Sequence, residues 1–206
     1  MRASTSDDRQ RLAQIVASSP DLMAQLRAVR ALGLPHGCIG AGAIRTLVWD
    51  RLHHFDGPST VEDVDVVYFD AKASPAQDAQ LQARLQEAMP ALNWEVTNQA
   101  WVHQWFSSAL GVIVPPLASL EEGIATWPEF ATCVGVFLHP DASIGVVAPH
   151  GLDDLFQLRV RHNPARASAA TYRQRVQSKR FGERWPRLCI CEPVACGSTA
   201  SSAPRP

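Results

Sequence analysis

The chain has 206 residues, 46% of them hydrophobic and 19% charged, which suits one sizeable globular domain and excludes global disorder and a collagen-like chain. Its formal net charge of −1 hides a split, because residues 1–158 carry 9 Lys/Arg against 18 Asp/Glu while residues 159–206 carry 10 against 2. An acidic body with a basic C-terminal segment suits a metal on one side and a polyanion on the other, or two parts that attract each other. No run of about 18 apolar residues marks a membrane span, and the polar stretch Met1 to Gln10 lacks the apolar core of a secretory signal. A cytoplasmic protein with no membrane partner is expected. The five cysteines, Cys38, Cys133, Cys189, Cys191 and Cys196, form no CxxC pair and read as free thiols.

In chain order, a first helix is expected over about Asp7 to Ser18. A second is opened by Ser19 as N-cap and Pro20 at the first helical position, buries Leu22, Leu26 and Val29, and stops at Gly33 and Pro35. Cys38-Ile39-Gly40 then reads as a short strand leading through Ala41-Gly42 into a helix that carries Trp49. The next strand, Val61 to Phe69, alternates, with Val64, Val66 and Tyr68 on one face and Asp63, Asp65 and Val67 on the other. There follow a helix Pro75 to Met89, a strand Asn93 to Thr97, a helix with Val102 and Trp105, a short helix Ser119 to Thr126, and two strands, Thr132 to Leu138 and Ile144 to Val147. Helices close the chain at Gly151 to Leu155 and Ser168 to Phe181. Alternating strands and helices predict an α/β (α+β) chain with a mixed sheet flanked by helices. The divisions expected are packing helices over 1–35, an α/β core over 36–148, a basic helical segment over 149–188, and a disordered tail over 189–206.

Asp63 and Asp65 lie two apart on a strand whose other face is apolar, so both carboxylates project to one side, with Cα atoms roughly 7 Å apart. Two like charges held there repel unless a cation sits between them, and a hard oxygen-preferring ion, Mg²⁺ or Mn²⁺, is the natural remedy; a solvated strand end is the alternative. Glu95 on the following strand adds a third carboxylate if the two strands are neighbours, as sequential strands usually are. The turn Gly40-Ala41-Gly42 opens a helix whose free N–H groups and dipole attract phosphate.

The segments Gly40-Ala41-Gly42-Ala43-Ile44-Arg45, Glu62 to Asp70 and Trp94 to Ala100 resemble the polymerase β-like nucleotidyltransferase superfamily. Together with Trp127-Pro128-Glu129, Pro149 to Leu155 and Trp185-Pro186-Arg187-Leu188, they look like a bacterial nucleotidyltransferase-like family within it, over about residues 22–188. The resemblance implies a polymerase β-like nucleotidyltransferase fold that transfers NMP from an NTP to an acceptor and releases pyrophosphate. It implies Asp63, Asp65 and Glu95 as catalytic and metal-holding acids and Gly40, Ala41, Gly42 and Arg45 as nucleotide-binding residues. The turn departs from the usual Gly-Ser or Gly-Gly, so backbone N–H groups alone must meet phosphate, and the stretch from Gly42 to Asp63 is long for the superfamily.

Arg45, one turn into the glycine-turn helix, can fork onto a triphosphate or form a surface ion pair with Asp50 or Glu62. Asn98, at the end of the third strand, and Lys179, on the basic helix, are possible acceptor or phosphate contacts, with a structural cap the equal alternative for Asn98. The acceptor, small molecule, protein or RNA, stays open. Two other functions compete: a catalytically weak nucleotide-binding or regulatory module of the same fold, and a nucleic-acid-binding protein using Arg159, Arg161, Arg166, Arg173, Arg175, Lys179 and Arg180.

Overall fold

A computed structural model describes residues 3–34, 37–74, 76–110 and 113–193. Helix α1 (Ala3–Ala17) is followed by α2 (Pro20–Ala31), whose N-cap Ser19 accepts from the Leu22 N–H at 3.3 Å. Strand β1 (Cys38–Gly40) runs directly into α3 (Ala41–His53). Next come β2 (Val64–Tyr68), α4 (Gln77–Ala88), β3 (Trp94–Asn98), α5 (Val102–Leu110) and α6 (Leu120–Ala125), then a 3-10 turn, Phe130–Thr132. The hairpin of β4 (Gly135–Leu138) and β5 (Ile144–Val147) precedes α7 (Asp153–Phe156) and β6 (Arg159–Val160), and the described chain ends with α8 (Ala169–Ser178), α9 (Phe181–Arg184) and β7 (Cys189–Ile190).

Five strands form one mixed sheet in the order β3-β2-β1-β4-β5, with β2 and β3 parallel and the other pairs antiparallel. The alternation read from the sequence fixes its two faces. Val64, Val66 and Tyr68 of β2 and Trp94 and Val96 of β3 join Leu22, Leu26, Ile44, Val48, Trp49, Leu81 and Leu85 in the main core, so α2, α3 and α4 cover that face. On the opposite face Val67 packs with Cys38, Leu120, Ile124 and Cys133 in a smaller cluster, which leaves the Asp65 end of the strand open.

Two sequence expectations need correction. The strand expected over Val61 to Phe69 begins only at Val64, because the carbonyl of Thr60 is held by Arg184 and Ser59 by the Asp50 carboxylate, so residues ahead of Val64 follow those anchors instead of a neighbouring strand. The tail expected to be disordered from Cys189 starts as strand β7, paired in parallel with β6 through Arg159↔Cys189 and Val160↔Ile190. The Tyr172 hydroxyl ties the two together by donating toward the carbonyls of Val160 and Cys191, each at 2.8 Å. The rest of that tail, 194–206, with Cys196, lies outside the described residues. No helix among the described residues is long and apolar enough to cross a membrane.

Candidate active site

The parallel register of β2 and β3 sets Asp65 directly opposite Glu95, and Asp63 stands just ahead of β2. Carboxylate oxygens of Asp63, Asp65 and Glu95 lie within 4.8 Å of one another. Among the described residues none forms a hydrogen bond or ion pair with these three side chains. Burial, then the charges of Asp63 and Glu95, push the Asp65 carboxyl up to about 6. A group of three oxygen ligands without protein donors, one of them resisting its own ionisation, fits a hard divalent cation. The structure thus brings together the three acids that the sequence singled out.

The acids form one end of a cavity of about 330 Å³ whose other walls are the start of α3, the loop over Thr60 to Glu62, the Trp127-Pro128 corner and the side chains of Arg175, Lys179 and Arg184. Ala41 and Gly42 line it, and α3 has no side-chain cap on its first turn, so its free N–H groups face an anion site. Gly40 does not line it: a Cβ there would meet the Trp127 ring at 2.5 Å, so glycine serves close packing. Nor is the Ala41 N–H free, since it donates to the Val134 carbonyl at 3.1 Å. The part of the turn whose N–H groups are free to meet an anion thus begins at Gly42. Ala41 itself has φ +47°, a left-handed conformation that costs an L-residue roughly 1–2 kcal/mol.

Arg45 does not form the surface ion pair with Asp50 or Glu62 that was the alternative to phosphate contact. It is 4% exposed, with its guanidinium 4.8 Å from the Phe181 ring centre, 5.4 Å from Trp49 and 5.7 Å from Trp185. Asp50 is spent elsewhere, accepting from Ser59 and from the Trp185 indole, each at 2.7 Å, and Glu62 pairs with Lys179 at 2.7 Å. Arg45 Nε is buried without a hydrogen-bond partner while the side chain lines the cavity. Burial lowers its ordinary value to about 10, against the opposing charge of Glu129, so it stays a cation at neutral pH.

Lys179 reaches the cavity as the last residue capping α8, and Arg184 joins it while donating to the Thr60 carbonyl at 2.7 Å. Asn98 stays out. Its Oδ1 accepts from the N–H groups of Asp70 and Ala100 and its amide donates to the Asp70 carbonyl at 2.7 Å, so the side chain caps the strand ends and has no acceptor to meet. Its neighbour Gln99 lines the cavity instead.

One buried residue behind the cavity wall escaped individual notice in the sequence. Glu129 is fully buried and takes Arg175 Nε at 2.8 Å and Nη2 at 3.3 Å. Only the local sequence Trp127-Pro128-Glu129 pointed at that place, and nothing in it named a partner on α8. The basic segment read as a possible nucleic-acid surface is largely tied down: Arg159 and Arg161 hold Asp154, Arg173 holds Glu192, Lys179 holds Glu62 and Arg180 holds Glu183. Arg166 donates to the Pro115 carbonyl.

A nucleotidyltransferase family model matches residues 27–190. No curated protein matches the chain. Among solved structures, an NMR structure described as revealing a CCA-adding enzyme head domain superposes with a TM-score of 0.75 at 28% identity, covering 89% of this chain and 95% of that one. A Thermotoga maritima CCA-adding enzyme complexed with tRNA superposes at 0.53 and 10% identity, over 88% of this chain and 42% of the enzyme. A CCA-adding enzyme in complex with CTP gives 0.52 at 11%, over 88% and 43%. The last two share the fold, and the chain spans less than half of their length.

Proposed function

The chain belongs to the nucleotidyltransferase family whose model spans residues 27–190, and on that premise we propose that it transfers a nucleoside monophosphate from an NTP to an acceptor through a divalent-metal site at Asp63, Asp65 and Glu95. The observation that carries this reading is the shared cavity: three carboxylates without donors at one end, an uncapped helix start and four cations at the other. Bound there, Mg²⁺ or Mn²⁺ would neutralise the triphosphate and make the acceptor a better nucleophile.

The protein's own groups then divide the work. Backbone N–H groups from Gly42 onward and the Arg45 guanidinium bind phosphate oxygens, and Lys179 and Arg184 stand on the same wall. The aromatic box of Trp49, Phe181 and Trp185 excludes water behind Arg45 and so strengthens its charge interactions in the cavity. As the acceptor's nucleophilic atom bonds to the α-phosphorus, the bond from that phosphorus to the α–β bridging oxygen breaks, and pyrophosphate leaves with the electron pair. Glu95, the exposed member of the trio, takes the acceptor's proton in this reading. Positioning and charge neutralisation supply the rate.

RNA as acceptor is suggested by the tRNA bound to the Thermotoga enzyme, with a small molecule or a protein as the alternatives. Calorimetry with NTP, with and without Mg²⁺ or Mn²⁺, tests the reading. Metal-dependent NTP binding that Asp65→Asn uncouples from transfer supports it; NTP binding indifferent to EDTA, with an equally active Asp63→Asn/Asp65→Asn variant, refutes it.

A further inference from the structure

Glu129 has no exposed surface, yet it stands apart from the acid cluster. Its backbone is pinned on both sides, by an antiparallel bridge to His162 and by the Phe130 N–H donating to the Arg161 carbonyl at 3.1 Å. Its carboxylate accepts from the Thr132 hydroxyl at 3.1 Å and from one edge of the Arg175 guanidinium. Burial works against the Arg175 charge, but the bonds to Glu129 outweigh it and hold the group above its ordinary value. No other described residue accepts from Arg175, which lines the cavity and whose next charged influences are Asp65 and Asp63.

A buried ion pair is a poor device for stability alone, because an apolar pair of similar bulk does as well or better. What this pair supplies is a planar guanidinium locked along one edge, with the other edge presented beside the carboxylates. Its charge also matters. Arg45 and Arg175 are two largely buried cations on one wall, and Glu129 is the carboxylate that most favours the charge of both, which leaves an excess of one positive charge facing the cavity.

We propose that Glu129 is a positioning residue that holds Arg175 against the α-phosphate of the nucleotide, where the free N–H groups of Arg175 fork onto its non-bridging oxygens. The inference rests on the transferase reading and deepens it. Negative charge on those oxygens is redistributed as the bond to the bridging oxygen breaks, so a guanidinium fixed there acts on the step itself, while Lys179 and Arg184 remain for the outer phosphates. A lysine cannot replace it, since a point charge on a flexible stem keeps neither the fork nor the bond pattern to Glu129.

The test is calorimetry in Mn²⁺ with two probes, α,β-methylene-ATP and inorganic pyrophosphate, the second lacking an α-phosphate. Arg175→Lys and Glu129→Gln are expected to weaken the ATP analogue about tenfold or more while leaving pyrophosphate within about twofold of wild type. Should Glu129→Gln not fold, the double variant Glu129→Leu/Arg175→Met, a neutral pair of similar bulk, is expected to show the same split. Analogue binding within about twofold of wild type in these variants, or equal loss of both probes, overturns the inference while leaving the transferase reading in place. Failure of the wild-type chain to bind either probe in Mn²⁺ overturns the transferase reading and this inference with it.

Discussion

The two ends of the cavity treat charge in opposite ways. At the sheet end, Asp63, Asp65 and Glu95 crowd within 4.8 Å and none of them has a protein donor among the described residues. On the C-terminal wall nearly every cation has been given a partner: Arg175 has Glu129, Lys179 has Glu62 and Arg184 has the Thr60 carbonyl. A protein that wanted only to neutralise its acidic body would have laid the basic segment across the three acids. Keeping the cations occupied nearby, and the acids bare, leaves a gap that a metal ion and a polyphosphate would fill together under the proposed function. Arg45 is the exception that links the ends, a buried cation whose neighbours are aromatic faces and the cavity.

Breaking the acidic end has the largest expected effect. Asp65→Asn removes the largely buried carboxylate at the centre of the proposed metal site and is expected to lower NMP transfer by about three orders of magnitude or more, read as pyrophosphate release in Mg²⁺. Transfer at near wild-type rate in that variant would separate the acids from the chemistry. Arg45→Lys breaks the link. It is expected to weaken NTP binding about tenfold, because an ammonium neither forks onto phosphate nor stacks on Phe181 and Trp185 as a guanidinium does.

The same Asp65→Asn change sharpens the comparison when the metal is left out. A carboxyl raised from 3.8 to about 6 binds its proton more readily folded than unfolded, so its ionised form costs stability above about pH 6 and the cost fades as pH falls toward 4. In EDTA, Asp65→Asn is expected to stabilise the chain on the order of 2 kcal/mol at about pH 7.5 and not at all at about pH 4, measured by thermal unfolding. A destabilised variant at both pH values would mean that Asp65 has a protein partner after all. Smaller still is Ala41→Gly, which relieves the left-handed backbone at φ +47° and is expected to add roughly 1 kcal/mol, offset in part by glycine's greater unfolded freedom. The least effect is expected at the exposed pair: Glu62→Gln frees Lys179 and should tighten NTP binding about two- to threefold, reversed by salt.

The two ends also differ in how far the sequence revealed them. The acid trio was legible because it depends on local rules: alternation along the strand expected over Val61 to Phe69 set Asp63 and Asp65 to one side, and the tendency of sequential strands to be neighbours brought Glu95 beside them. Helix α2 was legible for the same reason, through its cap Ser19. The basic wall was not. Arg45 finds Phe181 and Trp185, and Arg175 finds Glu129, across separations that no periodicity reports. The two-residue strands β6 and β7 are too short to show alternation, and they pair in parallel across α8 and α9. Asn98 could be read equally well as ligand or cap until the carbonyl and N–H of Asp70 were seen to occupy it.

The proposed function depends most directly on whether the bare acids hold the ion that brings in the nucleotide. Mn²⁺ titrated into the wild-type chain and into Asp63→Asn/Asp65→Asn, with and without NTP and followed by electron paramagnetic resonance, answers this. Wild type is expected to bind Mn²⁺ and to bind it more tightly with NTP present, and the double variant to lose both effects. Equal Mn²⁺ and NTP binding by the two proteins would contradict it.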